Sequence, residues 1–310
     1  MSVAAVGMRL PSYALGEVEH RVADNDSILP AVRDALVESG VDRYWSTELE
    51  PWQLAVASAS RCLREAEVDP THIDVVMYAT NSFWSPEFSE NTTVSRFLRE
   101  VGLAVAFPIG VNLARCANAQ VCFRQASAML RSGAARRVLI VCVDKVQPGD
   151  DRLVAPKISV RTDAAASVLL ELTDDAPFEV LDTELLMDAV LGGVDPELQF
   201  SEYIGGVARG LVSTVNALCE RSGVGVTEVS ALLPNNYNTW ITRSMAKLGG
   251  FVDSQIYLDN VGRVAHAVAG DNLINLRDFS DHRAPAIGDH VLLLASGPSQ
   301  WGATLLRKVW

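Results

Sequence analysis

The stretch Gly110-Val-Asn-Leu-Ala-Arg-Cys116-Ala-Asn-Ala-Gln-Val-Cys122 decides the reading of this chain. Its first residues make a short apolar strand, and the run behind them, ending in Arg131-Ser-Gly133, has the spacing of an amphipathic helix over Ala117–Ser132. A strand feeding directly into a helix puts Cys116 at the turn, at or near the helix N-terminus, where unpaired backbone N–H groups favour a thiolate. Cys122 lies well inside the same helix and reads as packing. Taken alone, the segment fits an ordinary buried cysteine as well as a nucleophile.

Outward from this segment, runs rich in β-branched residues read as buried strands at Val3–Met8, Ile73–Ala79, Val138–Val143, Ser167–Leu172, Val229–Leu233 and His290–Leu294. Between them, helical spacing covers Trp52–Ala66, Thr92–Val101, Val207–Ser222, Tyr237–Lys247 and His266–Asp278. Continuous apolar strands alternating with helices predict an α/β protein whose sheets are covered on both faces. The order helix, strand, helix runs twice, first up to a cysteine and then up to a histidine. This predicts two intimately packed halves, 1–165 with Cys116 and 166–310 with Asn235, His266 and Gly297, since no Pro/Gly/Ser-rich linker separates them.

The composition narrows the function. With 49% hydrophobic and 21% charged residues among 310, the chain can bury a large core and is not a disordered protein. The net charge of −12 is spread without long like-charged blocks, which argues against nucleic acid as a partner. Five cysteines, an odd count without a CxxC pair, and an opening MSVAAVGMRL without a basic leader point to a reducing, cytoplasmic setting. No apolar run reaches the length of about 18 residues that a membrane span needs. No metal-ligand spacing is present.

A cysteine nucleophile needs a base. His20, His72, His282 and His290 stand in charged or turn-like surroundings or at a strand start. His266 lies in Val261-Gly-Arg-Val-Ala-His-Ala-Val-Ala-Gly-Asp271-Asn-Leu-Ile-Asn-Leu276, where small neighbours admit a close approach. Asp271 can fold back and hold the imidazole in one tautomer, although a structural histidine near a helix start fits the same residues. In Leu232-Leu-Pro-Asn235-Asn236-Tyr237-Asn238 a strand ends in amides that can orient a substrate or donate to a carbonyl, or simply cap a helix. In Leu292-Leu-Leu-Ala-Ser-Gly297-Pro-Ser-Gln-Trp301-Gly302, Gly297 can present its backbone N–H.

Together and in this order, these segments resemble β-ketoacyl-acyl-carrier-protein synthase III and its relatives in the thiolase superfamily, over essentially the whole chain. The Cys-helix-Ser-Gly pattern matches Cys116 and Ser132-Gly133. The family's Asp-Gly-Ala-Gly-Ala strand is similar to Asp163-Ala-Ala-Ala-Ser167, and its glycine-rich C-terminal motif to Gly297–Gly302. The resemblance implies a thiolase-type five-layered αβαβα fold of two similar halves, with Cys116 as nucleophile and an oxyanion hole of the Cys116 and Gly297 N–H groups. Where the family carries His-Gln-Ala-Asn and then Gly-Asn, this chain has Asn235-Asn236-Tyr237-Asn238 and then Ala265-His266, so amide and imidazole have exchanged places. A Cys with His266 at the second position and Asp271 behind it looks like a Cys-His-Asp branch found in polyketide and related secondary pathways.

The resemblance therefore implies an acyltransferase: an acyl-enzyme on Cys116, made from an acyl-CoA or acyl-carrier-protein thioester, delivered to a hydroxyl or amine acceptor with His266 as base and Asn235 in support. No cofactor beyond the coenzyme A or phosphopantetheine thioester substrate is expected. A decarboxylative starter-unit ketosynthase is the alternative, and a catalytically silent partner in a heterodimer a third reading. The aromatic segment Ser82-Phe-Trp-Ser-Pro86-Glu-Phe88 stands where relatives complete an acyl pocket across a dimer interface, so a homodimer with Phe88 at that pocket is expected. Arg43 and Trp45 are the nearest candidates for contacts to the pantetheine arm.

Overall fold

The computed structural model describes residues 5–84, 93–147, 149–195 and 198–310. Strands β1 (Val6–Met8), β2 (Ser12–Leu15), β3 (Val18–Arg21) and helix α1 (Pro30–Glu38) are followed by β4 (Arg43–Ser46), α2 (Pro51–Glu65), β5 (Val75–Ala79), α3 (Ser95–Val101) and β6 (Phe107–Val111). Then come α4 (Asn118–Arg131), β7 (Arg137–Asp144), β8 (Leu153–Val154), α5 (Ala155–Ile158), β9 (Ser159–Val160), β10 (Ala164–Leu172) and β11 (Phe178–Met187). The chain ends with α6 (Phe200–Ser222), β12 (Val229–Leu233), α7 (Thr239–Leu248), α8 (Asp271–Arg283), β13 (His290–Ser296) and β14 (Gln300–Lys308).

The main sheet runs β12-β13-β14-β11-β1-β10-β7-β5-β6, with β2 also paired to β10. In the first half the spatial order is third, second, fourth, fifth, first strand: β6 and β7 lie parallel to β5, while β7–β10 and β10–β1 are antiparallel. The second half repeats it. β12 and β13 are parallel, β13–β14 and β14–β11 are antiparallel, and a parallel bridge from Leu232 to Ile256 stands where β6 stands in the first half. A division at 165/166 would cut through β10, which holds eight consecutive pairs with β7 from Ala164 to Glu171. The strand order places the change from one half to the other in the turn between β10 and β11.

Alternation along the strands sorts the side chains into layers. One face of β5, β7 and β10 (Val75, Met77, Ile140, Cys142, Val168) and one face of β12 and β13 (Ala231, Leu233, Val291, Leu293) pack on the same two helices, α4 and α8. The opposite face of the first half (Val76, Tyr78, Leu139, Val141) is covered by α2 and α3, and that of the second half (Leu232, Leu292, Leu305) by α6 and α7. This is the expected five-layered α/β arrangement. Burying a side chain such as Phe123 or Leu130 of α4, both wholly inaccessible, contributes about 1.5–3 kcal/mol each. Gly302 lets β14 lie directly on α4, because a Cβ there would sit 2.7 Å from that of Gln120.

Helix α8 departs from the sequence expectation. It starts at Asp271, not at His266, and is buried nearly all round, including the polar Asp271, Asn272 and Asn275. Asn272 donates to the Leu233 and Leu294 carbonyls at 2.7 and 3.1 Å, and Asn275 to that of Pro234 at 2.8 Å. These amides terminate β12 and β13 by satisfying backbone groups that would otherwise be buried without partners.

Candidate active site

The carboxyl ends of the parallel strands β5, β6, β7, β12 and β13 converge, which is where open α/β sheets place their ligands. Cys116 follows β6 in a short 3-10 turn over Arg115–Ala117 that leads into α4. Its side chain is 8% exposed. Among the described residues no hydrogen bond engages the Cys116 backbone N–H, whereas the neighbouring Arg115 and Ala117 N–H groups donate to Asn112 and Ala114.

His266 lies in the loop before α8, held by backbone bonds to the segment after β9: its N–H donates to Val160 and its carbonyl accepts from Thr162. Its Nε2 is 3.5 Å from Cys116 Sγ, and its Nδ1 is 2.6 Å from Asp271 Oδ2. The two residues 150 positions apart are thus brought together with the third behind them. Non-glycine residues with left-handed backbone flank both reactive groups: Arg115 at φ 50°, Ala265 at 58° and Val268 at 55°. For a β-branched residue this is an outlier, and such strain, about 1–3 kcal/mol per residue, persists where surrounding contacts over-determine it.

Asp271 is wholly buried and accepts from five donors: His266 Nδ1, the Ala267 and Asn236 backbone N–H groups, and the Asn235 and Asn236 side-chain amides. It also stands at the N-terminus of α8, where a carboxylate is favoured. Burial works against charge on His266, but the Asp271 carboxylate and the Cys116 sulfur outweigh it, through charge and hydrogen bonds, and hold the imidazole at about 10. The ring is therefore poised as an imidazolium beside the sulfur.

Asn235 is in the site but does not face the sulfur. Its amide donates to Asp271 and to the Val268 carbonyl, and its Oδ1 accepts from the Ser296 N–H at 2.9 Å. It supports the carboxylate. Gly297 corrects an expectation: its N–H donates to the Gln300 carbonyl at 2.7 Å and closes the β13–β14 turn, so in this structure it is not free to receive an oxyanion. Of the expected pair, only the Cys116 N–H is open.

Arg43 is exposed and paired with Glu19 at 2.7 Å and Asp42 at 3.3 Å. Trp45 buttresses the histidine loop: its indole N–H donates to the Arg263 carbonyl at 3.1 Å, and its backbone N–H to Thr162 Oγ1 at 2.8 Å. Neither residue touches Cys116 or His266. Phe88 lies outside the described residues. Asp163 is a structural anchor, fully buried and bidentate with Arg152 at 3.0 and 2.8 Å.

Two site residues escaped sequence reading. Tyr237 packs at a tilt against His266, with ring centroids 4.9 Å apart and 47° between the planes, and its hydroxyl lies 3.6 Å from Cys116 Sγ and 2.6 Å from the Ser296 carbonyl. Burial first, and then the charge of Cys116, push its phenol well above the ordinary value, so it stays protonated. The signal available was an aromatic residue where the family motif has alanine. Asp144, the last residue of β7, accepts from the Asn81 N–H at 2.8 Å through Oδ1, while its buried Oδ2 has no partner among the described residues. Burial pushes it up to about 7, against the pull of that N–H and of His266. Among the described residues no group of acids, histidines and cysteines could hold a metal, and no helix is long and apolar enough to cross a membrane.

With the geometry in place, the chain can be compared with known proteins. The family model for 3-oxoacyl-[acyl-carrier-protein] synthase III matches residues 112–189, the segment from just after β6 through β11. The β-ketoacyl-[acyl-carrier-protein] synthase III of Roseobacter denitrificans is 27% identical over 333 residues, 98% of either chain. Among solved structures, the acyltransferase ChlB3 superposes with a TM-score of 0.86 at 15% identity over 98% of both chains. The priming β-ketosynthase of the R1128 polyketide pathway superposes at 0.79 and 16% identity, over 100% of this chain and 98% of that one. The chain is thus similar to the β-ketoacyl-acyl-carrier-protein synthases III and shares the fold of their solved structures. Its curated relatives are named as synthases that act on acyl carrier protein thioesters, an acyl-transferring class of enzyme.

Proposed function

We propose that the chain is a Cys-His-Asp acyltransferase that forms a thioester on Cys116 from an acyl-CoA or acyl-carrier-protein donor and transfers the acyl group to a hydroxyl or amine acceptor, in a polyketide-like secondary pathway. The observation that carries this reading is the relay Cys116 Sγ, His266, Asp271, with 3.5 Å and 2.6 Å between successive members. An imidazole held by a buried carboxylate is a general base. Decarboxylation instead calls for neutral donors facing the nascent enolate, and the Asn235 amide is turned onto Asp271.

The steps balance within this relay. Cys116 Sγ attacks the donor carbonyl, and the departing thiolate leaves with the proton from His266 Nε2. Acylation removes the sulfur charge that had helped to raise the imidazole, which frees it to act as a base. The acceptor then attacks the thioester carbonyl as His266 takes its proton. Collapse of that intermediate expels the Cys116 thiolate and restores the starting pair. A homodimer, Phe88 at the acyl pocket, and Arg43 and Trp45 on the pantetheine side complete the proposal.

A starter-unit ketosynthase is the second reading, favoured by one observation: the Tyr237 hydroxyl and His266 are both potential donors beside Cys116. Supplying an acyl-CoA together with a malonyl carrier separates the two. The acyltransferase makes no CO2; stoichiometric CO2 release refutes it in favour of condensation. Failure of every acyl-CoA and acyl-carrier-protein donor to modify Cys116 refutes both and points to a silent partner subunit.

A further inference from the structure

The oxyanion site of this protein is short of one donor. An acyl carbonyl attached to Cys116 Sγ develops negative charge on its oxygen as the tetrahedral intermediate forms, and that charge needs preorganised donors about 2.7–3.1 Å away. Among the described residues the Cys116 N–H has no partner, whereas the Gly297 N–H is closed into the hairpin turn on Gln300. One other uncharged donor faces the sulfur among the described residues, the Tyr237 hydroxyl at 3.6 Å.

We propose that Tyr237 is the second oxyanion donor, its O–H turning from the Ser296 carbonyl to the thioester oxygen as that oxygen becomes charged. The inference rests on the acyl-enzyme reading above. The geometry is favourable on three counts. The carbonyl oxygen of a Cys116 thioester is two bonds from Sγ, so a phenol 3.6 Å from Sγ is within reach of it. The ring is fixed by its contact with His266, centroids 4.9 Å apart, so only the hydroxyl torsion has to change. The Ser296 carbonyl at 2.6 Å keeps the O–H satisfied before substrate arrives, so no buried donor is stranded in the resting state.

The step involves no net proton transfer from the phenol. As the Sγ–C bond forms, the carbonyl π pair moves onto oxygen and the O–H shifts its hydrogen bond to that oxygen. As the bond from carbon to the departing sulfur breaks, the carbonyl re-forms and the O–H returns to Ser296. His266 supplies the leaving group's proton. The arrangement also accounts for an aromatic residue at a position where the related motif has alanine: the side chain that narrows the site is the one that completes it.

Tyr237→Phe tests this, because it keeps the ring on His266 and removes only the hydroxyl. Two single-turnover rates are measured on wild type and variant: acylation of Cys116 by an acyl-CoA, followed by intact mass, and alkylation of the same thiol by iodoacetamide, which forms no oxyanion. The inference predicts acylation slowed by roughly 10²-fold, the cost of removing one oxyanion donor, with alkylation and its pH profile unchanged. Equal slowing of both rates, a shifted alkylation profile, or unslowed acylation overturns it. Replacing Tyr237 with 3-fluorotyrosine, a stronger donor of the same shape, is predicted to restore acylation to at least the wild-type rate, and a rate equal to that of the phenylalanine variant counts against the inference. Wild type that acquires no acyl mass overturns the acyl-enzyme reading, and the inference with it; wild type that acylates while Tyr237→Phe acylates equally fast overturns the inference alone.

Discussion

Asp271→Asn replaces an anion by an amide of the same shape at the most heavily hydrogen-bonded carboxylate of the site. Five donors converge on Asp271, and an amide can offer only one oxygen to them, so its NH2 group must oppose at least two. The imidazole stands at about 10 instead of 6.5. At about 1.4 kcal/mol per tenfold, its surroundings favour the charged ring by several kcal/mol, with Asp271 the leading favourable partner. Without that charge, burial is opposed only by the Cys116 sulfur, and the imidazole falls from its raised value. The expected loss in turnover is about 10³–10⁴-fold, because the ring loses both its tautomer and its stabilised charge. A second consequence concerns stability. The folded value lies above the unfolded one, so this stabilisation is complete below 6.5 and is lost as the pH rises through about 10. Wild type is therefore predicted to become steadily less stable to urea over that window, and Asp271→Asn to lack this slope while being less stable by about 3 kcal/mol near neutrality. Turnover within a few-fold of wild type, or an unchanged slope, would refute the reasoning.

Two further outcomes follow from buried polar groups. Asp144 is raised from 3.8 to about 7, so the folded state loses stability as the pH rises between these values; Asp144→Asn is expected to melt higher than wild type at about pH 8 and no higher below about pH 4. Asn275→Ala leaves the Pro234 carbonyl and the Asn236 amide oxygen without their donor, which is expected to cost about 1–3 kcal/mol by urea unfolding and to lower turnover through Asn236, which holds Asp271.

The sequence shows its strands and helices best where the local pattern and the burial agree. The continuous apolar runs of β5, β7, β12 and β13 and the periodic faces of α2 and α4 are visible because those strands are covered on both faces and those helices on one. Strands β11 and β14 were hidden for a physical reason. β11 alternates buried residues such as Phe178 with half-exposed Glu179 and Asp182, and β14 opens at the Gly-Pro turn and contains Gly302, so both read as punctuation. The start of α8 was misplaced because its buried face carries Asp271, Asn272 and Asn275, which in sequence look solvated, whereas in the structure Asp271 holds His266 and the two amides terminate two strands.

At the site, Cys116, His266 and Asp271 could be picked out from residue type and small neighbours, and their convergence depended on the family likeness. Asn235 was placed in the site, but its orientation was not legible, since an amide can face either way and only the tertiary position of Asp271 decides. The engagement of Gly297 is likewise a property of the hairpin and not of the motif. Tyr237 was hidden among three asparagines that drew attention to amide chemistry.

The central claim is that Cys116 carries the acyl group. Intact-mass measurement after exposure to a panel of acyl-CoAs tests it most directly: the account predicts a single added acyl mass that is absent from Cys116→Ala and is discharged when a hydroxyl or amine acceptor is supplied. An adduct that persists in Cys116→Ala, or no adduct with any donor, would contradict it.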